Sequence, residues 1–146
     1  RLGFRVKRGR SQGGSYYHDG VRQLTEAETQ AVVALAMDLA REGQGDELRE
    51  FVERGLPVNV QDDEGNSLLM LAAYRGHLGT VRTLIELGAD VDLRNGRDQT
   101  PIAGALFKGE DDIVRELIRA GADLDAGTPT ARQAAELFGR SELLTE

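Results

Sequence analysis

The sequence repeats itself every 33 residues, and this period restricts the possible fold more than any single motif does. Glycine recurs at this spacing in two registers, and apolar residues recur in four. The matching sets are Gly43, Gly76 and Gly109; Gly55, Gly88 and Gly121; Leu48, Val81 and Val114; Phe51, Leu84 and Leu117; Val52, Ile85 and Ile118; and Val58, Val91 and Leu124. A period of about 20 to 50 residues is typical of repeat proteins whose units bury their apolar sides against one another.

Each repeat carries the start and stop signals of two helices. Thr100 stands before an apolar segment, and Pro101 falls at the first helical position, where its missing N–H costs nothing. Gly109 then ends this helix, because glycine tolerates a left-handed backbone. A second apolar stripe, which includes Val114 and Leu117, follows at helical spacing. The sequence therefore predicts an all-α repeat solenoid of stacked helix-turn-helix units joined by hairpin-like loops.

These residues resemble the ankyrin repeat family. The segment Thr100-Pro-Ile-Ala-Gly-Ala is similar to the family signature T-P-L-H-x-A, and Gly76-His77-Leu78 is similar to its G-H-L turn. Gly88-Ala-Asp-Val-Asp resembles the G-A-D-V-N ending. The resemblance covers about residues 25 to 146.

The sequence also departs from the family pattern at two kinds of position. Met70, Ala103 and Gln133 stand where the family usually has the histidine of its signature. Asp98 stands where the preceding repeat has the hairpin glycine Gly65. The hydrogen bonds that the histidine usually makes must therefore be replaced or absent.

We expect about four units after a basic tail at residues 1–24. They are an N-terminal capping unit at 25–61, two near-complete repeats at 62–94 and 95–126, and a short C-terminal capping unit at 127–146.

Capping boxes mark both end units. Thr25 with Glu28, and Thr130 with Gln133, place a hydroxyl and a carboxylate or amide where each satisfies a backbone N–H of the other residue. These signals and the apolar pattern predict helices in the end units at about 26–42, 46–54 and 140–146.

Charge is distributed unevenly along the chain. Residues 1–24 hold six basic residues and one acidic residue, for a net +5, so the total of −7 leaves −12 for the rest. Five glycines interrupt this tail, and we expect it to be a flexible arm that is not necessarily native. The acidic remainder argues against nucleic-acid binding by the whole fold.

Cysteine is absent, which excludes disulfides, thiolate zinc sites and cysteine nucleophiles. It also suits a reducing compartment, and we expect a cytoplasmic protein. No apolar run approaches the ~18 residues of a membrane helix.

No residue pattern supports catalysis or metal binding. His77 lies in the G-H-L turn, 59 residues from His18, and we interpret it as structural. The acidic segment 62–64 lacks the spacing of a calcium loop, and the acidic residues at 110–112 suit a helix start. We therefore predict a protein that is not an enzyme and has no metal, cofactor or small-molecule substrate.

The resemblance implies where a partner would bind. In ankyrin repeats the loop tips and the ends of the first helices line one concave side. The corresponding residues here are Arg41, Glu42, Asp63, Glu64, Asn66, Tyr74, Arg75, Gly96, Arg97, Gln99, Phe107 and Lys108, followed by Leu137 and Phe138.

Three aromatic residues fall at or beside the same repeat position: Tyr74, Phe107 and Phe138. Large rings beside Arg75 and Lys108 are typical of binding hot spots. The alternative is that the rings pack between neighbouring repeats as core, and Phe138 fits that alternative best.

Two functional hypotheses follow. The first is a non-catalytic protein–protein interaction module, or scaffold, that binds a protein or peptide through its concave face. The alternative is a module tethered to nucleic acid or another anionic surface by the basic tail, where Tyr16 and Tyr17 accompany the basic residues.

Overall fold

A computed structural model of the chain describes residues 4–5, 17–18 and 21–146. The first part of this set forms three short strands, β1 (Phe4–Arg5), β2 (Tyr17–His18) and β3 (Val21–Gln23). β3 lies between the other two, parallel to β1 and antiparallel to β2. The sequence does not predict this pairing. The flexible tail expected over 1–24 falls largely outside the described residues, so it stays a prediction.

The described chain after β3 is helical. Its elements are α1 (Glu26–Glu42), α2 (Gly45–Glu53), α3 (Leu68–Tyr74), α4 (Leu78–Glu86), α5 (Pro101–Lys108), α6 (Asp111–Arg119), α7 (Ala131–Leu137) and a 3-10 helix (Ser141–Thr145). The prediction of an all-α repeat solenoid is confirmed, as is the long first helix. The described helices include none that is long and apolar enough to cross a membrane.

Helix starts follow the predicted capping chemistry. The Thr25 hydroxyl accepts a hydrogen bond from the Glu28 N–H at 3.1 Å, and the Glu28 carboxylate accepts one from the Thr25 N–H at 2.9 Å. Thr130 and Gln133 make the same reciprocal pair at α7. These bonds satisfy backbone donors that the first helical turn leaves without partners.

The helices pack in two rows. α1, α3, α5 and α7 form one row, and α2, α4, α6 and the 3-10 helix form the other. Leu48, Val81 and Val114 are fully buried and hold the same position in successive repeats. The 33-residue period therefore reflects one continuous core. Burial of each of these side chains stabilises the fold by about 1.5 to 3 kcal/mol.

Leu24 also belongs to this core. Its side chain is 5% exposed and clusters with the buried residues of the helices. The sequence placed residue 24 in the tail, and the burial of Leu24 shows that this residue packs with the helices; the domain bounds themselves stay a prediction. Apolar burial explains this packing: Leu24 stands directly before the capping residue Thr25 and covers part of the first unit.

The loops between helix pairs also bond from one repeat to the next. The Gly96 N–H donates to the Glu64 carbonyl at 2.9 Å, and the Thr128 N–H donates to the Asp98 carbonyl at 2.8 Å. Asp98 adopts the left-handed backbone, with φ of 61°, that Gly65 adopts in the preceding loop with φ of 82°. Its carboxylate accepts a hydrogen bond from the Thr128 hydroxyl at 2.7 Å, which ties the strained residue to the next loop.

At the C-terminal end of the stack, Arg115 of α6 contacts Glu146, the last described residue. Arg115 Nε donates to Glu146 Oε1 at 2.9 Å. This hydrogen bond lowers the pKa of Glu146 below its ordinary value, because it favours the ionised carboxylate.

Candidate partner-binding groove

A groove of about 660 Å³ runs along the side of the stack where the loops meet the first row of helices. Residues from all four helix-pair units contribute to it. Its lining consists of Arg41, Glu64, Asn66, Met70, Leu71, Tyr74, Arg75, Asn95, Arg97, Gln99, Ala103, Gly104, Phe107, Pro129, Leu137 and Phe138.

Three rings form an aromatic ladder in this groove: Tyr74, Phe107 and Phe138. The Tyr74 and Phe107 rings are nearly parallel, with centroids 6.3 Å apart and an angle of 9°. The Phe107 and Phe138 rings meet edge to face at 5.5 Å and 72°. Consecutive units therefore contact each other through these rings, in the geometries that aromatic pairs prefer.

The ladder nevertheless remains open to solvent. Tyr74 is 39% exposed, Phe107 59% and Phe138 37%. The two interpretations of these rings, contact between repeats and exposure at the surface, therefore both hold. Phe138 packs against Phe107 of the preceding unit, as the core alternative requires, but its 37% exposure shows that it is not buried, because it follows the last residue of α7 and lines the groove.

Helix ends explain why the rings stay exposed. Tyr74 is the last residue of α3, and Phe107 is the last but one of α5. Gly104 lies beside Tyr74: a Cβ there would be 3.6 Å from the Tyr74 Cδ1, at ordinary van der Waals distance.

Most of the predicted contact residues line the groove. Ten of the fourteen do so: Arg41, Glu64, Asn66, Tyr74, Arg75, Arg97, Gln99, Phe107, Leu137 and Phe138. Glu42, Asp63 and Gly96 are exposed outside it. Lys108 is not part of the lining; its ammonium lies over the Tyr74 ring, 4.8 Å from the centroid.

The sequence did not point to six lining residues, which are Met70, Leu71, Asn95, Ala103, Gly104 and Pro129. A signal existed for Met70 and Ala103, because both replace the signature histidine. Gly104 offered another, since glycine inside a helix lowers its stability and needs a reason. Asn95 gave no comparable signal, because turn residues are common in any loop.

Amide groups fix the polar wall of the groove. Asn95 Nδ2 donates to Asn66 Oδ1 at 3.0 Å and to Gln99 Oε1 at 2.8 Å. Asn95 Oδ1 accepts from the backbone N–H groups of Arg97 and Gln99 at 2.9 and 3.0 Å. This network holds two successive loops in a single arrangement before any partner arrives.

The other polar candidates have structural partners. His77 Nε2 lies 2.7 Å from the Arg41 carbonyl oxygen. A carbonyl can only accept, so this nitrogen donates and links two units, in agreement with a structural role. Asp62 Oδ1 accepts from the N–H groups of Glu64 and Asn66, which accounts for the first acidic residue of that loop.

Within the described ranges, no group of three or more His, Cys, Asp or Glu residues is placed to hold a metal ion. Asp111 and Asp112 lie in the first turn of α6, as expected for acidic residues at a helix start. The basic tail of the alternative hypothesis lies largely outside the described residues, and nothing in the described part of the chain favours that hypothesis.

Comparison with known proteins finds matches to ankyrin repeats. The family model for ankyrin repeats (3 copies) matches residues 36–128. An ankyrin repeat protein of Pseudomonas aeruginosa, PA3287, is 44% identical over 62 residues, which are 42% of this chain and 36% of that protein. Acyl-CoA-binding domain-containing protein 2 of Arabidopsis thaliana is 40% identical over 53 residues, which are 36% of this chain and 15% of that protein. The chain thus spans well under half the length of both relatives.

Proposed function

Because the chain belongs to the ankyrin repeat family, we propose that it is a non-catalytic interaction module that binds a protein or peptide partner in the groove. Ankyrin repeats are generally protein–protein interaction modules and are generally non-catalytic. The roles of scaffold and cytoplasmic protein expected from the sequence are part of this proposal.

The observation that carries the proposal is the exposed aromatic ladder. Phe107 contacts both other rings and is still 59% exposed. Large apolar side chains that remain open to water in a concave site are typical of interaction surfaces. Aromatic side chains also bury much area on binding at a small cost in side-chain entropy.

The fixed walls of the groove support the same function. Asn95 makes three hydrogen bonds within its own loop and one to Asn66 of the preceding loop. His77 joins α4 to the end of α1. A site that is already ordered loses less conformational entropy when a partner binds. The groove therefore suits recognition of a preformed or extended segment of another protein.

The proposal is tested with a random 12-residue peptide display library selected on the intact chain. Binding of the selected peptides should fall by about tenfold or more in Phe107→Ala, because the central ring is the expected hot spot. Leu35→Ala is the matched control, since Leu35 is 50% exposed on α1 and lies outside the groove lining. Equal affinities for the two variants would contradict the assignment of the groove.

A further inference from the structure

Positive charge gathers at the groove of an otherwise acidic domain. From residue 25 onward the chain has twelve basic and twenty-four acidic residues. The groove lining reverses this balance, with Arg41, Arg75 and Arg97 against the single carboxylate Glu64. Lys108 adds a further positive charge at the face of the aromatic ladder.

Basic side chains elsewhere in the domain are mostly paired with carboxylates. Arg49 contacts Glu86 at 2.6 Å, and Arg132 contacts Asp125 at 2.9 Å. Arg41 itself contacts Asp38 at 2.9 Å and Asp62 at 3.9 Å.

Four basic residues are exceptions among the described residues from position 25 onward: Arg75 and Arg97 line the groove, Lys108 lies over the Tyr74 ring beside it, and Arg54 lies at the end of α2. Among the described residues, no carboxylate forms an ion pair with Arg75, Arg97 or Lys108. Carboxylates are in twofold excess over basic residues here, so pairing partners are not scarce. Unpaired cations beside exposed rings therefore indicate a site complementary to an anionic partner.

We propose that the groove binds an acidic peptide segment, whose carboxylates pair with Arg75 and Arg97 and whose apolar side chain packs on the aromatic ladder. This rests on the proposed function and names the chemistry of its partner. Guanidinium groups suit carboxylates because they present parallel N–H donors. Arg75 follows α3 and Arg97 lies in the next loop, so the segment runs along the stack across successive units.

Single-stranded nucleic acid is the main competitor, because arginines and stacked rings also suit bases and phosphates. The observations favour a peptide. A nucleic-acid strand carries a negative charge at every nucleotide. Wherever it leaves the groove, it would be repelled by the rest of the domain, whose net charge from residue 25 onward is −12. A peptide segment can confine its negative charge to the groove.

The test uses peptides selected by the intact chain from the random 12-residue library. They should be enriched in Asp and Glu and contain at least one large apolar residue. Arg75→Glu and Arg97→Glu should each weaken their binding by about tenfold or more. Arg54→Glu is the control, because Arg54 caps α2 as Arg75 caps α3, has no ion pair within the described chain, and lies outside the groove.

Reversing the charges of both the peptide and the groove provides a second test. Peptides with Lys in place of their Asp and Glu residues should bind the R75E/R97E double variant more tightly than the unaltered chain. Circular dichroism and urea unfolding verify that the variant is folded. No preference of the swapped peptides for the double variant would overturn the inference.

Several outcomes separate this inference from the proposed function. Peptides that need Phe107 but have no acidic bias would overturn the inference and leave the function intact. No peptide that depends on Phe107 would contradict both. A twenty-residue oligothymidylate that binds more tightly than the acidic peptides, and loses affinity in R75E/R97E, would assign the groove to nucleic acid instead.

Discussion

At the scale of single residues, a glycine and a histidine connect the first unit to the second. Gly43 ends α1 with φ of 77°, a left-handed value that favours glycine. A Cβ on Gly43 would lie 2.6 Å from His77 Nδ1, while His77 Nε2 donates to the Arg41 carbonyl. The recurrent glycine is therefore needed both for its backbone conformation and for the space that the histidine ring occupies.

We predict that Gly43→Ala destabilises the protein more than Gly88→Ala does. Both positions have positive φ, at 77° and 94°, so each alanine should cost about 1 to 2 kcal/mol in backbone strain. Gly88 has no heavy atom within 4 Å of the added Cβ, whereas Gly43 has the His77 ring. The extra cost at Gly43 should be about 1 kcal/mol, the worth of the displaced hydrogen bond.

Urea unfolding measures both changes, and the His77→Ala background supplies the control. Removing the ring should make the two glycine substitutions nearly equal. A difference that survives in that background would show that the histidine contact is not its cause.

Asp98 shows a limit of prediction at this scale. The sequence marked it as a departure from the glycine pattern, and the structure shows that it keeps the glycine conformation. Its compensating bonds join Arg94 in its own loop and Thr128 in the next one. The position of Thr128 depends on how the loop between α6 and α7 folds, which residue spacing alone does not specify.

At the scale of elements, capping hydroxyls set the helix starts, and these hydroxyls differ in burial. Thr100 is fully buried, and its hydroxyl accepts from the Ala103 N–H at 3.2 Å. Thr25 makes the equivalent bond to the Glu28 N–H at an exposed site. Water can replace the hydroxyl at Thr25, but at Thr100 loss of the hydroxyl leaves a buried donor without a partner.

We predict that Thr100→Val lowers the free energy of unfolding by about 1 to 3 kcal/mol, and that Thr25→Val lowers it by about 0.5 to 1 kcal/mol. The substitution is the same in both, so the difference reports burial of the donor. Chemical denaturation followed by circular dichroism gives the two values. A larger loss at Thr25 would show that burial does not decide the worth of these caps.

The sequence predicts the elements well because their signals are local. Capping hydroxyls, terminal glycines and apolar stripes fix α1 at Glu26–Glu42 as expected, and α2 at Gly45–Glu53 within one residue of the expected span. The short strands of residues 4–5, 17–18 and 21–23 could not be predicted, because their pairing joins short segments that have no alternating apolar pattern.

At the scale of the whole molecule, the groove arises from the way the units stack. The repeat register placed Tyr74, Phe107 and Phe138 close to one another, but their exposure depends on how far successive units are rotated. The same limit applies to Lys108, whose position over Tyr74 needs two neighbouring units in place. Groove-lining residues supplied by one repeat were therefore easier to predict than contacts between repeats.

The distribution of charge is also a property of the assembled stack. Arg82 of α4 pairs with Glu116 of α6 at 3.1 Å, across two units of the second helix row. Pairing of this kind balances the charge of basic residues on that side of the stack. In the groove, no carboxylate of the described chain balances the charges of Arg75 and Arg97. The sequence reveals the numbers of charges, and only the fold reveals which of them are paired.

The most direct test of the central claim is a nuclear magnetic resonance titration of the isotope-labelled chain with a selected acidic peptide. The account predicts that amide shifts concentrate at groove positions such as Arg75, Gln99 and Phe107, with little change along α4 and α6. The largest shifts along α4 and α6, with the groove residues unmoved, would contradict it.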